Sequence, residues 1–295
     1  MTDLEVVVDG LGFVEAPRWR NGKLWFSDFY ARTVLTAEPT GEVERVTYVP
    51  GQPSGIGFSP DGALMIVSSH DGHLLRLYEG ATSILADIGA MYRGALNDMV
   101  VDSYGRCYIS MFPVPTVGPG TVQRPPSPDT VSIPLIRVDP NGAVTVVADD
   151  LKIPNGMAIT SDGSQLLVAE TYGNCITAFD GASDGSLDRR RIFADLVARR
   201  PDGICLDASG AVWVGSFATE EFLRVRMDRG EFRHVDDAWI AARFVAETVN
   251  WFARHRHHYR YGRRLDDAPV TATVADLIVG AFALGEPRSD TEVSR

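Results

Sequence analysis

The sequence predicts an all-β chain: a six-bladed β-propeller with its last blade divergent or incomplete and a partly helical C-terminal segment. Three observations lead there. One hairpin motif recurs at blade spacing, short polar motifs precede or begin the hairpins, and the pattern breaks after about residue 230.

The recurring motif is an apolar strand, a polar turn with glycine, and a second apolar strand. It opens as Pro17-Arg18-Trp19-Arg20-Asn21-Gly22-Lys23-Leu24-Trp25-Phe26 and returns as Gly57-Phe58-Ser59-Pro60-Asp61-Gly62-Ala63-Leu64-Met65-Ile66. Further copies run over 100–109, 158–168 and 205–214. Each reads as a β-hairpin, because glycine accepts the positive φ of a tight turn and the flanking residues are largely β-branched, aromatic or otherwise apolar. The turn glycines Gly22, Gly62, Gly105, Gly163 and Gly210 recur at about 40 to 58 residues, a propeller period. A β-sandwich also contains hairpins but has no reason to repeat one turn motif at that period. The longest gap holds Pro113 to Pro134, rich in Pro, Gly, Ser and Thr, which reads as a loop inserted over one face.

A sixth copy is expected near residues 245–265 and is absent. Trp239, Ile240, Phe244, Val245 and Val249 form a loose helical stripe instead, followed by a basic, aromatic run from Arg254 to Arg264. The chain therefore divides into a propeller over residues 1–230, carrying the site, and a divergent segment over 231–295. That segment is either highly divergent or the product of a shifted reading frame. His255, His257 and His258 sit among arginines that would repel a cation, so this run reads as a solvated basic face.

Composition narrows the function classes. Across 295 residues, 45% are hydrophobic and 23% charged, an ordinary globular balance. The net charge of -11 argues against a nucleic-acid partner, which would need a basic face. No apolar run approaches a membrane span, and the first residues lack the pattern of a secretion signal. Cys107, Cys175 and Cys205 lie far apart in apolar runs, as free thiols of a reducing compartment do. The expectation is a cytoplasmic protein with a small-molecule partner; the oligomeric state is left open.

Four polar motifs carry the chemistry: Glu15-Ala16-Pro17-Arg18-Trp19, Asn97-Asp98, Pro154-Asn155-Gly156 and Pro201-Asp202-Gly203. Taken singly, Pro-Asn-Gly and Pro-Asp-Gly are turn chemistry. Taken together, they put an oxygen-bearing side chain at the inner start of several blades, where equivalent positions face a common axis. Two carboxylates and two amides meeting there form a hard, oxygen-only site for one divalent cation. Such a site suits Ca²⁺ or Mg²⁺, with Mn²⁺ or Zn²⁺ as further alternatives. No Gly-x-Ser-x-Gly elbow is present, so a serine nucleophile has little support.

These motifs, in this order and spacing, resemble the SMP-30/gluconolactonase/regucalcin-like family of six-bladed propellers. Glu15-Ala16-Pro17-Arg18-Trp19 looks like the family's opening Glu-x-Pro-x-Trp, and Leu96-Asn97-Asp98, Asn155-Gly156 and Asp202-Gly203 match its later segments. The resemblance implies metal ligation by Glu15, Asn155 and Asp202. It makes Asn97 a ligand or a substrate contact and Asp202 also the general base. The implied reaction is hydrolysis of a lactone or related ester. The alternative is a non-catalytic Ca²⁺- or ligand-binding propeller, since the same ligands would serve both. Where sugar-lactone-cleaving relatives often carry an arginine, two residues before the Asn-Asp pair, this chain has Ala95. A methyl group cannot make charge-assisted bonds to sugar hydroxyls. Met111 and Phe112 are further expected substrate contacts.

Overall fold

The computed structural model describes residues 7–92, 94–113, 131–207, 210–216, 218, 221–225 and 232–234. Most of the Pro-rich insertion lies outside them, as do the helical stripe, the basic run and the last blade. Among the described residues there is no helix, and hence none long and apolar enough to cross a membrane.

The chain folds as a β-propeller, with five four-stranded sheets among the described residues. The first sheet holds β1 (Val14–Arg20), β2 (Lys23–Asp28), β3 (Thr33–Ala37) and β4 (Val43–Tyr48); the second holds β5 (Pro53–Phe58), β6 (Leu64–Ser68), β7 (His73–Tyr78) and β8 (Ala81–Asp87). The third comprises β9 (Ala95–Val101), β10 (Cys107–Phe112), β11 (Ile133–Val138) and β12 (Val144–Leu151). The fourth comprises β13 (Pro154–Ile159), β14 (Gln165–Glu170), β15 (Cys175–Gly181) and β16 (Leu187–Asp195). The fifth is β17 (Pro201–Leu206), β18 (Val212–Ser216), β19 (Glu221–Val225) and β20 (Phe232–His234). Each is an antiparallel meander in chain order, and the first strands of successive sheets lie side by side.

The hairpin between the first two strands of each sheet is the recurring motif. Gly22, Gly62, Gly105, Gly163 and Gly210 all have φ between 72° and 89°. Asn21 joins Gly22 at positive φ, the pattern of a two-residue type I′ turn that matches strand twist. In the second sheet the turn is one residue longer. Gly62 N donates to Ser59 O, Ser59 N to Ala63 O, and the Asp61 carboxylate accepts from Ala63 N.

In the first four sheets the outermost strand is the most exposed. β6 is buried throughout, whereas β4, β8 and β16 at the rim are largely exposed. The core lies between sheets rather than within any one. Met65, Val67 and Leu74 of the second sheet pack with Met99, Ile109 and Ile136 of the third. Tyr108 and Leu135 meet Met157 and Leu166 across the next seam, and Leu167 and Ile176 meet Ile204 and Val214 across the one after. The second, third and fourth sheets thus bury both faces against neighbours, which is why their middle strands read as continuous apolar runs rather than as alternations.

Candidate functional site

All four predicted ligands lie on the innermost strands β1, β9, β13 and β17, at or next to the second residue of each. A one-residue bulge occurs at that point in every sheet. The register jumps between Glu15 and Arg18, Pro53 and Ile56, Leu96 and Met99, Pro154 and Met157, and Pro201 and Ile204. A bulge adds a residue to one strand and re-aims its side chain. Ser54, Asn97, Asn155 and Asp202 are each the first residue inside the jump, whereas Glu15 is the paired residue just before it.

The residue after the site position sets how closely neighbouring strands approach. A Cβ at Gly156 would stand 2.6 Å from both Asp202 O and Ile204 N, and one at Gly55 would stand 2.6 Å from Met99 N. Glycine at these positions lets the next inner strand lie directly against the bulge, bringing consecutive site residues within hydrogen-bond reach.

The side chains form a continuous line across five sheets. Ser54 Oγ lies 2.7 Å from Glu15 Oε2 and 3.2 Å from Asn97 Oδ1. Asn97 Nδ2 donates to Asn155 Oδ1 at 2.9 Å, and Asn155 Nδ2 donates to Asp202 Oδ1 and to Thr171 Oγ1. Thr171 Oγ1 in turn donates to Pro201 O at 2.7 Å. Glu15, Ser54, Asn97, Asn155 and Asp202 are all at most 7% exposed. Arg18 reaches from β1 to β9, its guanidinium donating to Met99 O at 3.0 Å.

Ser54 is the member that the sequence reading missed. The signal was available: Pro53-Ser54-Gly55 has the same form as Pro154-Asn155-Gly156 and Pro201-Asp202-Gly203. Its hydroxyl simply does not resemble a ligand. Glu170 and Thr171 take different parts. Thr171 belongs to the line, whereas Glu170 binds Lys152 N at 2.7 Å, the Thr177 hydroxyl and Arg190 Nη2 at 3.1 Å, tying sheet four together.

Met111 and Phe112 do not join the line. Met111 is buried in the cluster between the second and third sheets, and Phe112 packs half-buried against it, opposite Ala95 in the strand register. His70-Asp71-Gly72 is a hairpin turn between β6 and β7, as its residues suggest.

The donor set is oxygen-only. Among the described residues no three His, Cys, Asp or Glu side chains form a cluster that could hold a metal ion. A cation here would therefore rest on amide as well as carboxylate oxygens, a set that fits a hard divalent ion. Two buried carboxylates, Glu15 and Asp202, on one hydrogen-bonded line also fit such an ion electrostatically, because buried charge needs compensation.

The SMP-30/gluconolactonase/LRE-like region model matches residues 13–238. A 6-deoxy-6-sulfogluconolactonase of Pseudomonas putida is 25% identical, the match covering 72% of each chain. A gluconolactonase structure from Xanthomonas campestris superposes with a TM-score of 0.64 at 26% identity, over 78% of this chain and 77% of that one. A calcium-binding regucalcin structure from Agrobacterium tumefaciens shares the fold, with a TM-score of 0.64 at 18% identity over 79% and 76% of the two chains.

Proposed function

The chain belongs to the SMP-30/gluconolactonase/LRE-like family, and from that premise we propose that it is a metal-dependent lactonase. The observation that carries the reading is the hydrogen-bonded convergence of Glu15, Asn97, Asn155 and Asp202 from four separate sheets. The similarity to proteins named as gluconolactonases supports the same reaction class.

In this reading Glu15, Asn97, Asn155 and Asp202 hold one divalent ion, Ca²⁺ in the first instance. When bound, such an ion would supply Lewis acidity toward the lactone carbonyl and lower the pKa of a water molecule. Asp202 accepts the proton of the attacking water, whose oxygen bonds to the carbonyl carbon. The acyl carbon–oxygen bond of the ring then breaks. The ring oxygen leaves as a hydroxyl by taking a proton, and a hydroxy acid is released. Asn155 holds the Asp202 carboxylate in one orientation through its amide hydrogen. The buried setting strengthens each of these dipoles by excluding water.

Ala95 stands two residues before Asn97, and its methyl group cannot make charge-assisted bonds to sugar hydroxyls. The substrate is accordingly a lactone or ester with few hydroxyls on that side. The ring is read as six-bladed, with residues 1–230 carrying the site and residues 231–295 the remainder. A cytoplasmic setting accords with three free cysteines.

The test is turnover of a panel of sugar and alkyl lactones by chelator-treated protein resupplied with Ca²⁺, Mg²⁺, Mn²⁺ or Zn²⁺. Metal-dependent hydrolysis abolished by Asp202→Asn supports the reading. Metal binding with no turnover on any lactone replaces it with the non-catalytic binding propeller.

A further inference from the structure

Ser54 occupies on β5 the position that Asn155 and Asp202 occupy on β13 and β17, yet its side chain is too short to reach as far inward. It is fully buried, and both contacts of its hydroxyl are to site residues on the neighbouring strands, Glu15 on β1 and Asn97 on β9. Its backbone is held as well. Ser27 Oγ of the first sheet donates to Ser54 O at 2.7 Å, and the bare Cα of Gly55 lies against the backbone around Asn97.

The line of donors has a direction. Asp202 accepts from the Asn155 amide, so the Asn155 oxygen is turned back toward sheet three. That oxygen accepts from the Asn97 amide, so the Asn97 oxygen is turned back toward Ser54. A hydroxyl carries one hydrogen, and here it faces two acceptor oxygens. One hydrogen cannot serve both. The hydroxyl can follow either oxygen when the other is drawn onto a cation, so it orients whichever of Glu15 and Asn97 is not engaged while standing between the two.

We propose that Ser54 is a positioning residue which presents Glu15 and Asn97 together as oxygen ligands to a divalent cation, filling the place of the second sheet without itself being a ligand. This rests on the metal-site reading of the proposed function. Metal-binding side chains depend on such supporting hydrogen bonds by about 10- to 100-fold in affinity.

The experiment is calorimetric titration of Ca²⁺ into the chelator-treated full chain as wild type, Ser54→Ala and Ser54→Thr, with melting temperatures taken in chelator. The expected result is a Ca²⁺ Kd for Ser54→Ala weakened about 10-fold or more. Melting in chelator should be close to wild type, and Ser54→Thr, which restores the hydroxyl, should bind within about threefold of wild type. Ser54→Ala binding as tightly as wild type overturns the assignment while leaving the metal site standing. Ser54→Thr as weak as Ser54→Ala also overturns it, because the hydroxyl would then not be what matters. A wild-type chain that takes up no divalent ion overturns both this inference and the proposed function.

Discussion

The side-chain amide of Asn155 donates to the carboxylate of Asp202 across the seam between the fourth and fifth sheets, and to the Thr171 hydroxyl 3.3 Å away. One amide therefore orients the proposed general base and is linked to the hydroxyl that fixes the backbone in front of it. In Asn155→Ala, Asp202 loses that donor and the site loses an oxygen. The expected outcome is a fall in kcat/KM of about 10- to 100-fold or more, the range for losing a partner that orients a metal-site residue. Steady-state kinetics on whichever lactone the wild type turns over measures this, and an effect below tenfold would contradict the role given to Asn155.

Thr171→Val tests the next link. Pro201 O is buried, and the Thr171 hydroxyl donates to it at 2.7 Å. Leaving a buried carbonyl without that donor costs about 1–3 kcal/mol. Urea unfolding should report a loss of that size, and catalysis should suffer less than in Asn155→Ala.

Gly156→Ala places a Cβ 2.6 Å from two backbone atoms of β17. Neither atom is the end of a flexible side chain, so the inner strands must separate. Overpacking of this kind costs about 1–3 kcal/mol. Circular dichroism melting should show the destabilisation, and Ca²⁺ affinity should fall with it because Asp202 moves with its strand.

Glu170 and Arg190 should behave unequally although they are ion-paired. Glu170 is 2% exposed and accepts from Lys152 N and the Thr177 hydroxyl besides Arg190, whose side chain is 40% exposed. Glu170→Ala takes a partner from each of those donors and should cost about 1–3 kcal/mol. Arg190→Ala removes a solvent-screened partner and should cost under about 1 kcal/mol. Paired urea titrations decide this; equal costs would show that the ion pair, rather than the hydrogen bonds, carries the energy.

The buried thiols make stability fall in alkali. Burial, with Asp102 nearby, pushes the Cys107 thiol up to about 12, and burial with Glu170 nearby pushes Cys175 up to about 11. An unfolded thiol titrates near its ordinary value of 9.0. Below that pH both states are protonated and the contribution is fully present. As pH rises from there toward about 11 and about 12, the unfolded chain releases protons that the folded chain keeps, and stability is lost. For Cys107 the slope is about 1.4 kcal/mol per pH unit in that window. Urea midpoints from neutral pH upward should decline less steeply in Cys107→Ala than in wild type.

Much of this architecture was legible because it depends on local residue chemistry. The turn glycines are punctuation that only positive φ explains, and their spacing placed five hairpins correctly. Glu15, Asn97, Asn155 and Asp202 stood out because carboxylates and amides are unusual just ahead of apolar strands. Ser54 escaped because serine in a Pro-x-Gly context is ordinary turn chemistry, and its role appears only when sheets one and three flank it. The bulges were invisible for a related reason. Period-two alternation assumes an unbroken register, and an extra residue in one strand is defined only against its partner. Met111, expected as a substrate contact, is held in the core by the apolar neighbours of two sheets, an assembly that no local pattern records.

The repeated bulge has a consequence for how such a channel can change. Four strands offer the same socket, filled here by Ser, Asn, Asn and Asp, and β1 adds Glu15 from the residue just before its own bulge. The contents differ in charge and reach while the backbone that frames them stays the same. Exchanging one letter rewrites the charge of the chamber without redrawing its walls. In that sense the fold behaves as a type-case, and an acidic residue at position 54 would spell a more highly charged chamber from the same frame.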